Sequence, residues 1–271
     1  MRTLVLIAVV SLSLASVAGA AGTFVGGVYT EDFDSMTANG TATPANWITG
    51  PYTTYLNREF LDGPSPSPVT NTALVVDDGS SQTRDFSYNF GTAGAADRAV
   101  GNICTTGNSG APGGDRGIQV ELNNNTGSPI TSLDIEYAGE QWRINQGTAE
   151  IQPERLMMYI SPSNGAGYIY LGSILDFNAP QNSPTYTKLD GNLGANRIVL
   201  TSTVDLAAIG YPGDAIAPGQ DFYLTWHDWN DNRAIDHSLA IDDVSITAIP
   251  EPASMALLAL GALALLKRRK K

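Results

Sequence analysis

The sequence predicts an all-β fold, a two-sheet antiparallel β-sandwich of the jelly-roll kind. Runs of apolar and aromatic residues, each bounded by Gly, Asn, Asp or Pro, recur about a dozen times between residues 21 and 248. Gly (28) and Pro (15) are abundant, and charged residues are 15% of the chain, which disfavours coiled coils and charge-rich helical proteins. The chain has no long helical period and no repeat of about 20–50 residues, which argues against solenoids and propellers.

Alternation of apolar and polar residues supports the individual strands. Every second residue is apolar within residues 117–123 and again within residues 132–137. Residues 238–248 alternate too, but their apolar residues change face after Ile241, which predicts a bulge or a strand covered on both sides. The predicted strands are residues 24–29, 73–76, 86–90, 99–103, 117–123, 132–137, 141–143, 156–161, 168–171, 197–200, 221–226 and 238–248, with one helical turn at 204–209.

The charge is concentrated in the body of the chain. Residues 21–250 carry 9 basic and 26 acidic side chains, a net charge of −17. Such a surface repels phosphate backbones, so no nucleic-acid partner is expected. The excess of acids fits solubility in a salty medium or the coordination of calcium.

The first 20 residues have the parts of a secretory signal peptide. A basic start at Arg2 precedes an apolar run at residues 4–17, and small residues at 18–20 supply a cleavage site. The alternative is an N-terminal membrane anchor, which the short apolar run disfavours. Residues 1–20 are therefore predicted to be a signal peptide, and residues 21–248 to form one β-sandwich domain.

The C-terminal segment, residues 249–271, also has three parts. Pro250, Glu251 and Pro252 precede an apolar run at residues 253–266, and five basic residues end the chain. As a helix the apolar run is roughly 21 Å long, shorter than the ~20 residues that a stable span prefers. The basic residues would stay on the cytoplasmic side of a membrane.

This three-part pattern resembles the PEP-CTERM sorting signal of exopolysaccharide-producing Gram-negative bacteria. The resemblance implies that a C-terminal apolar helix holds the chain transiently in the inner membrane. It also implies processing by an exosortase-type enzyme and export of the body to the cell surface or extracellular matrix. An ordinary C-terminal membrane anchor is the alternative.

Acids lie near both ends of the predicted domain. Asp32 and Asp34 follow the first predicted strand, and Asp242 and Asp243 lie in the last one. This arrangement resembles concanavalin-like jelly-roll domains of carbohydrate-binding and adhesion modules, which implies that these acids share a structural calcium, for which carboxylate oxygens are suitable ligands. The alternative is that they cap loops or pair with arginines such as Arg143.

Residues 139–143, Gly-Glu-Gln-Trp-Arg, follow a predicted strand as a turn, with the arginine expected to pair with Glu140 or another acid. Together with residues 124–127 and 236–243 they resemble segments of uncharacterised exported bacterial β-sandwich domains. That resemblance supports the fold and implies no activity.

Two further features bear on a ligand. Trp226 and Trp229 flank His227, and exposed aromatic rings in such positions would stack on sugars, although the alternative is that they belong to the core. Residues 228–232 offer oxygen ligands at alternate positions but lack the glycine and glutamate of an EF-hand, so a hairpin loop is favoured over a second calcium site.

Catalysis has weak support. Asp134 and Glu136 share a strand face and resemble part of the Glu-x-Asp-x-x-Glu strand of laminarinase-type hydrolases, but Ser132 stands at the leading position. Cys104 is the only cysteine and is expected to be buried. We therefore expect a non-catalytic exported protein associated with exopolysaccharide. The alternatives are a polysaccharide-acting hydrolase or lyase, and a purely structural matrix component.

Overall fold

The computed structural model describes residues 22–24, 27–52, 68–83, 85–104, 114–145, 154–183, 185–228 and 236–250. The signal segment, Trp229, Glu251, Pro252 and the C-terminal apolar run lie outside them. The strands are β1 (Gly22–Thr23), β2 (Val28–Glu31), β3 (Trp47–Pro51), β4 (Leu74–Asp77), β5 (Phe86–Phe90), β6 (Ala99–Ile103), β7 (Arg116–Asn123), β8 (Ile130–Ile144), β9 (Arg155–Ser161), β10 (Ile169–Tyr170), β11 (Phe177–Asn178), β12 (Thr187–Lys188), β13 (Arg197–Asp205), β14 (Asp221–Asp228) and β15 (Ser238–Pro250).

The strands form two sheets, as predicted. Sheet A has seven strands in the order β1-β7-β14-β9-β10, with β3 added to β7 and β11 to β9. Sheet B has eight strands in the order β12-β8-β15-β6-β5-β4, with β13 added to β8 and β2 to β15. Pairing is antiparallel except between β1 and β7 and between β4 and β5 among the described strands. The predicted β-sandwich is confirmed, with these two parallel pairs as a difference.

Three element predictions change. The turn predicted at Gly139 is absent, because β8 runs straight through it. A Cβ there would lie 2.1 Å from Cγ of Phe177, so the glycine allows close packing rather than a turn. The helical turn predicted at 204–209 is shorter: Val204 belongs to β13, and the N–H of Ile209 donates to the carbonyl oxygen of Asp205. Strands β3, β11 and β12 were not predicted: β3 includes Gly50 and Pro51, and β11 and β12 have two residues each.

The two inner faces enclose one large core. Trp226 of β14 stacks on Trp47 of β3 with ring centroids 5.5 Å apart, and Tyr137 of β8 meets the same indole edge-on. Alternate residues of the long strands complete this core, as their alternation predicts; they include Ile118, Val120, Leu122, Leu133, Ile135, Met158, Ile160, Leu224, Leu239 and Ile241.

A second, smaller core lies on the outer face of sheet B. Phe90 stacks between Tyr88 and Trp142, with centroid distances of 5.0 and 5.6 Å, and Ala240 packs with them. Its neighbour Leu239 faces the main core. Strand β15 is therefore covered on both sides at this point, which accounts for the change of face seen in its sequence.

The ladder between β8 and β15 fixes the position of the C-terminus. Ser132 of β8 lies opposite Ile249 of β15 on one side and opposite Asp205 of β13 on the other. Strands β13 and β15 therefore point the same way, and both end at this edge of the sandwich, which we call the C-terminal rim. None of the described residues forms a helix of the length and hydropathy needed to cross a membrane.

Candidate functional site

A β-bulge in β15 organises the acids of sheet B. The register with β8 shifts between Asp242 and Ser245, and Asp243 has a left-handed backbone with φ of 47°. A bulge re-aims neighbouring side chains. Here Asp242 is only 3% exposed, whereas Asp243 points to solvent. The bulge predicted as one of two alternatives is thus present, together with the two-sided covering.

At the bulge, the strand that pairs with β15 on the side away from β8 changes from β6 to β2. Ile241 is paired with Val100 of β6, and Val244 is paired with Glu31 of β2. The residues that precede β6 and follow β2 are therefore directed at the bulge. The segment that follows β2 carries Asp32 and Asp34, and the segment that precedes β6 carries Asp97 beside Arg98.

Asp242 is the least favourably placed of these acids. Burial raises its pKa to about 9, and the negative charges of Glu140, Asp243 and Asp97 add to the rise. Its Oδ1 atom is buried without a hydrogen-bond partner. A buried carboxylate with one oxygen lacking a hydrogen-bond partner is costly, so this group favours either a proton or a cation.

Glu140 is a second buried acid beside it. Its Oε2 accepts a 2.9 Å hydrogen bond from the Trp142 indole, and its Oε1 lies 3.2 Å from Nε of Arg197. Burial raises the pKa of Glu140 to about 7 despite these contacts. Arg197 also pairs with Asp243, so one guanidinium serves two carboxylates.

The arginine that pairs with these acids is Arg197 and not the predicted Arg143. Arg143 donates to the carbonyl oxygens of Gly79 and Ser80, and to the side chain of Asn145. The predicted pairing of Arg143 with these acids is wrong. Arg143 holds the loop over the second core. The cations near the acidic region are Arg197 of β13 and the buried Arg98, whose charge interacts with Asp97 and Asp34.

Asp34 reaches the same region from the other side. Its Oδ1 accepts the backbone N–H of Arg98 at 3.1 Å. The pKa of the adjacent Asp97 is raised by burial and by the charges of Asp34 and Asp243. Asp97 and Glu140 were missed as site residues, because nothing in the sequence shows that β6 and β8 flank β15 at the bulge.

Asp32 lies on the solvent side of the bulge. Its Oδ1 accepts the N–H of Asp34 at 3.1 Å, so it does cap its own loop. Between these two acids Phe33 is fully buried and meets Trp47 edge-on at 4.8 Å, which directs both carboxylates outward. Asp32 and Asp243 line one open depression of about 230 Å³. The structure therefore brings the four predicted acids into one region.

This region is incomplete as a metal site built from side chains alone. In the part of the chain that the structure describes, no three His, Cys, Asp or Glu side chains are grouped so that they could hold a metal ion. Calcium also accepts backbone carbonyl oxygens and water. Among the described residues, the buried Oδ1 of Asp242 is a single hard donor that faces away from the exposed carboxylates of Asp32 and Asp243.

The prediction that Trp226 is exposed and stacks on sugars is wrong. This side chain is fully buried between the sheets and cannot reach a glycan. Its neighbour His227 is buried too, bonded through Nδ1 to the Tyr52 hydroxyl at 3.0 Å, and burial lowers the pKa of His227 to about 3. Trp229 lies outside the described residues.

The two suspected catalytic acids share a face of β8, as expected. Asp134 and Glu136 are both exposed on the outer face of sheet B, and Asp134 accepts a hydrogen bond from Thr203. Glu136 lies opposite Thr201 of β13 and opposite Ser245 of β15. This face is an open, polar sheet surface.

Comparison with known proteins adds one finding about the tail. Residues 248–271 match the family model of the PEP-CTERM protein-sorting motif, which confirms the resemblance stated above. No curated protein matches the chain.

The body is similar in structure to solved domains. The K3 cleaved adhesin domain of Lys-gingipain from Porphyromonas gingivalis is 15% identical, with a TM-score of 0.37 over 81% of this chain and 98% of that one. TmCBM27, a carbohydrate-binding module with specific mannan recognition, is 15% identical, with a TM-score of 0.30 over 57% of this chain and 76% of that one. Likenesses at these scores carry no functional argument.

The buried acids predict how stability depends on pH in the presence of a chelator. The folded-state pKa values of Asp242 and Glu140, about 9 and about 7, exceed the unfolded values of about 4, so folding retains protons that unfolding releases. Stability should therefore be highest near pH 5 and fall toward pH 9, by up to about 1.4 kcal/mol per pH unit for each proton. Thermal unfolding across this range measures the slope of stability against pH.

Asp242→Asn should flatten this slope and raise the melting temperature at pH 8, whereas the exposed control Glu136→Gln should do neither. An unchanged slope in Asp242→Asn would contradict the assignment.

Proposed function

We propose that this chain is a non-catalytic protein of the cell surface or extracellular matrix that associates with exopolysaccharide. In this proposal an exosortase-type enzyme processes it at Pro250, Glu251 and Pro252 after transient anchoring in the inner membrane. The observation that carries the proposal is the match of residues 248–271 to the PEP-CTERM sorting motif. The N-terminal signal peptide expected from the sequence supports the same route.

The geometry of β15 supports processing at the boundary of the fold. The strand ends at Pro250, so the motif starts inside the strand and only Glu251 and Pro252 separate it from the apolar run at residues 253–266. While the tail is in a membrane, the C-terminal rim must lie next to the bilayer. A cut within the motif leaves the ladder from Ser238 onward intact, and the released body keeps its fold.

The outer face of sheet B is the surface that we propose for polysaccharide. The burial of Trp226 removes the stacking platform on β14. The open face around Glu136 instead presents carboxylates and hydroxyls, with Asp134, Thr201, Thr203 and Ser245 as neighbours. These groups accept and donate hydrogen bonds to sugar hydroxyls and can share a cation with an acidic glycan.

Calcium is proposed as a structural cofactor of the acidic region. In this proposal Asp242 would supply its unpartnered oxygen, and Asp32, Asp34 and Asp243 would be the further carboxylate donors. Binding would neutralise negative charges that now face the cations of Arg197 and Arg98. The role is stabilisation, because the ion would join the two terminal strands.

Substitution at the sorting motif tests the processing route. In a host that carries the processing enzyme, the wild-type body should leave the membrane fraction without its tail. Glu251→Ala should stay in the membrane with an intact C-terminus, because the motif is the recognition element. Fractionation and the intact mass of each form measure this. Asn125→Ala, in an exposed turn of the body, serves as the control. Release of the tail from Glu251→Ala at the wild-type rate would argue against the route.

Calcium should stabilise the folded chain at neutral pH. A ligand that binds only the folded state at 100 times its Kd adds about 2.7 kcal/mol. We expect the melting temperature to rise with calcium in the wild type and in Glu136→Gln, but not in Asp242→Asn. Differential scanning calorimetry with calcium and with chelator measures the shift. Equal shifts in all three proteins would place the ion elsewhere, and no shift in the wild type would exclude it.

A polysaccharide panel tests the association itself. The released body should bind one glycan class without producing reducing or unsaturated ends, and Glu136→Lys should weaken binding because it inverts a charge on the proposed face. Glycan cleavage that Glu136→Gln abolishes would instead establish the hydrolase or lyase alternative. Absence of binding with and without calcium would leave a purely structural matrix component.

A further inference from the structure

Strand β13 is an unprotected sheet edge. Within the described residues its only partner strand is β8, over its full nine residues, and the short 3-10 helix Ser173–Leu175 also packs against it without joining the sheet. The run from Ile198 to Val204 contains no charge, proline or glycine, and Val199 is 54% exposed. Its outer side therefore presents a row of backbone N–H and C=O groups that a further strand could pair with.

This edge differs from the usual protected edge. Edge strands of soluble proteins are normally short, or carry lysine, proline or a bulge that prevents pairing. Here the bulge lies two strands further in, on β15, and the edge itself is long and rich in β-branched residues. In a chain with a net charge of −12, a seven-residue neutral stretch is also where a second acidic molecule meets the least repulsion.

We propose that β13 pairs with β13 of a second copy of this chain, antiparallel and centred on Thr201. The neutral run has one cation, Arg197, at its start and one anion, Asp205, at its end. Antiparallel pairing about Thr201 sets Arg197 of each copy opposite Asp205 of the other. Parallel pairing would set like charges together, so the charges select a two-fold symmetric arrangement.

The other pairs in this register are compatible. Ile198 lies opposite Val204, and Val199 lies opposite Thr203, all of them β-branched residues that pair well across strands. Arg197 keeps its contacts with Glu140 and Asp243 in each copy. Its charge therefore sets the direction of pairing, and the backbone ladder and apolar contacts supply most of the affinity.

Pairing of this kind depends on release from the membrane, a step that rests on the proposed function. Asp205 and Ile249 flank Ser132, so the tail leaves at the Asp205 end of β13. In the antiparallel pair the two tails leave at opposite ends. Two chains anchored in one bilayer have their tails on the same side, so they cannot form this antiparallel pair. Removal of the tail would therefore allow assembly, and sheet B would continue from one copy into the next.

Cysteine cross-linking of the full chain, expressed with its own signal and tail, tests the pairing. Thr201→Cys places a thiol on the two-fold axis, and Asn125→Cys places an equally exposed thiol elsewhere. Cys104 is fully buried, so the wild type serves as the background. In the released fraction a short bis-maleimide should give about tenfold more covalent dimer from Thr201→Cys than from Asn125→Cys, a difference of about 1.4 kcal/mol.

The register has its own control. Mixed chains with Val199→Cys and Thr203→Cys should cross-link to each other, because these positions face each other in the pair. Adding Val199→Lys to the Thr201→Cys chain should remove the dimer while the melting temperature stays near that of Thr201→Cys. Equal dimer yields from Thr201→Cys and Asn125→Cys, or a dimer that survives Val199→Lys, would overturn the proposal.

The two proposals fail separately. If no host releases the body, the processing route fails, and the edge is then tested on the full chain in detergent, where the tails no longer share one bilayer. Cross-linking of Thr201→Cys in detergent then supports the edge pairing, and its absence overturns it. If the body is released and Thr201→Cys does not cross-link, only the edge proposal is lost. Cross-linking of tail-bearing chains within one membrane would overturn the dependence on release.

Discussion

The pairing of β15 with β8 is the contact on which most of this structure depends. It is the central ladder of sheet B, and it divides the main core from the second core around Trp142. Its bulge turns Asp242 inward, and its end at Pro250 sets where the tail leaves. Fold, acidic region and C-terminal rim are therefore consequences of one strand pair, and a change of register there would disturb all three.

The same ladder explains why buried acids persist in an otherwise apolar environment. Strand β15 pairs with β6 before the bulge and with β2 after it, so the segments that carry Asp97 and the pair Asp32 and Asp34 converge there. Arg197 relieves Glu140 and Asp243 but leaves Asp242 without a partner for one oxygen. A protein that buries carboxyl groups without enough cations loses stability as they ionise, unless an ion is bound there.

Much of the fold could be predicted from local pattern, and less of the site. Strands β5 and β6 match their predicted bounds because turn residues and β-formers alternate sharply there. Gly139 misled the prediction, since its role is contact with Phe177, which is remote in sequence. Trp226 and Arg143 were misassigned for the same reason: burial and pairing are set by which strands become neighbours. Asp32, Asp34, Asp242 and Asp243 were singled out because a resemblance linked the terminal strands, and their role as metal ligands stays a prediction. Asp97 and Glu140 had no such signal.

The acidic charge and the neutral edge have related consequences. A body with a net charge of −17 resists non-specific association, so the proposed contact between copies requires a place without acids. Strand β13 is such a place, and its direction is tied through β8 to that of β15 and hence to the tail. A chain held by its tail presents this edge in one orientation only, which opposes antiparallel pairing in the membrane. In the proposed assembly, pairing would begin only after the tail is removed, because anchored chains cannot adopt the antiparallel arrangement. No additional regulator would then be needed.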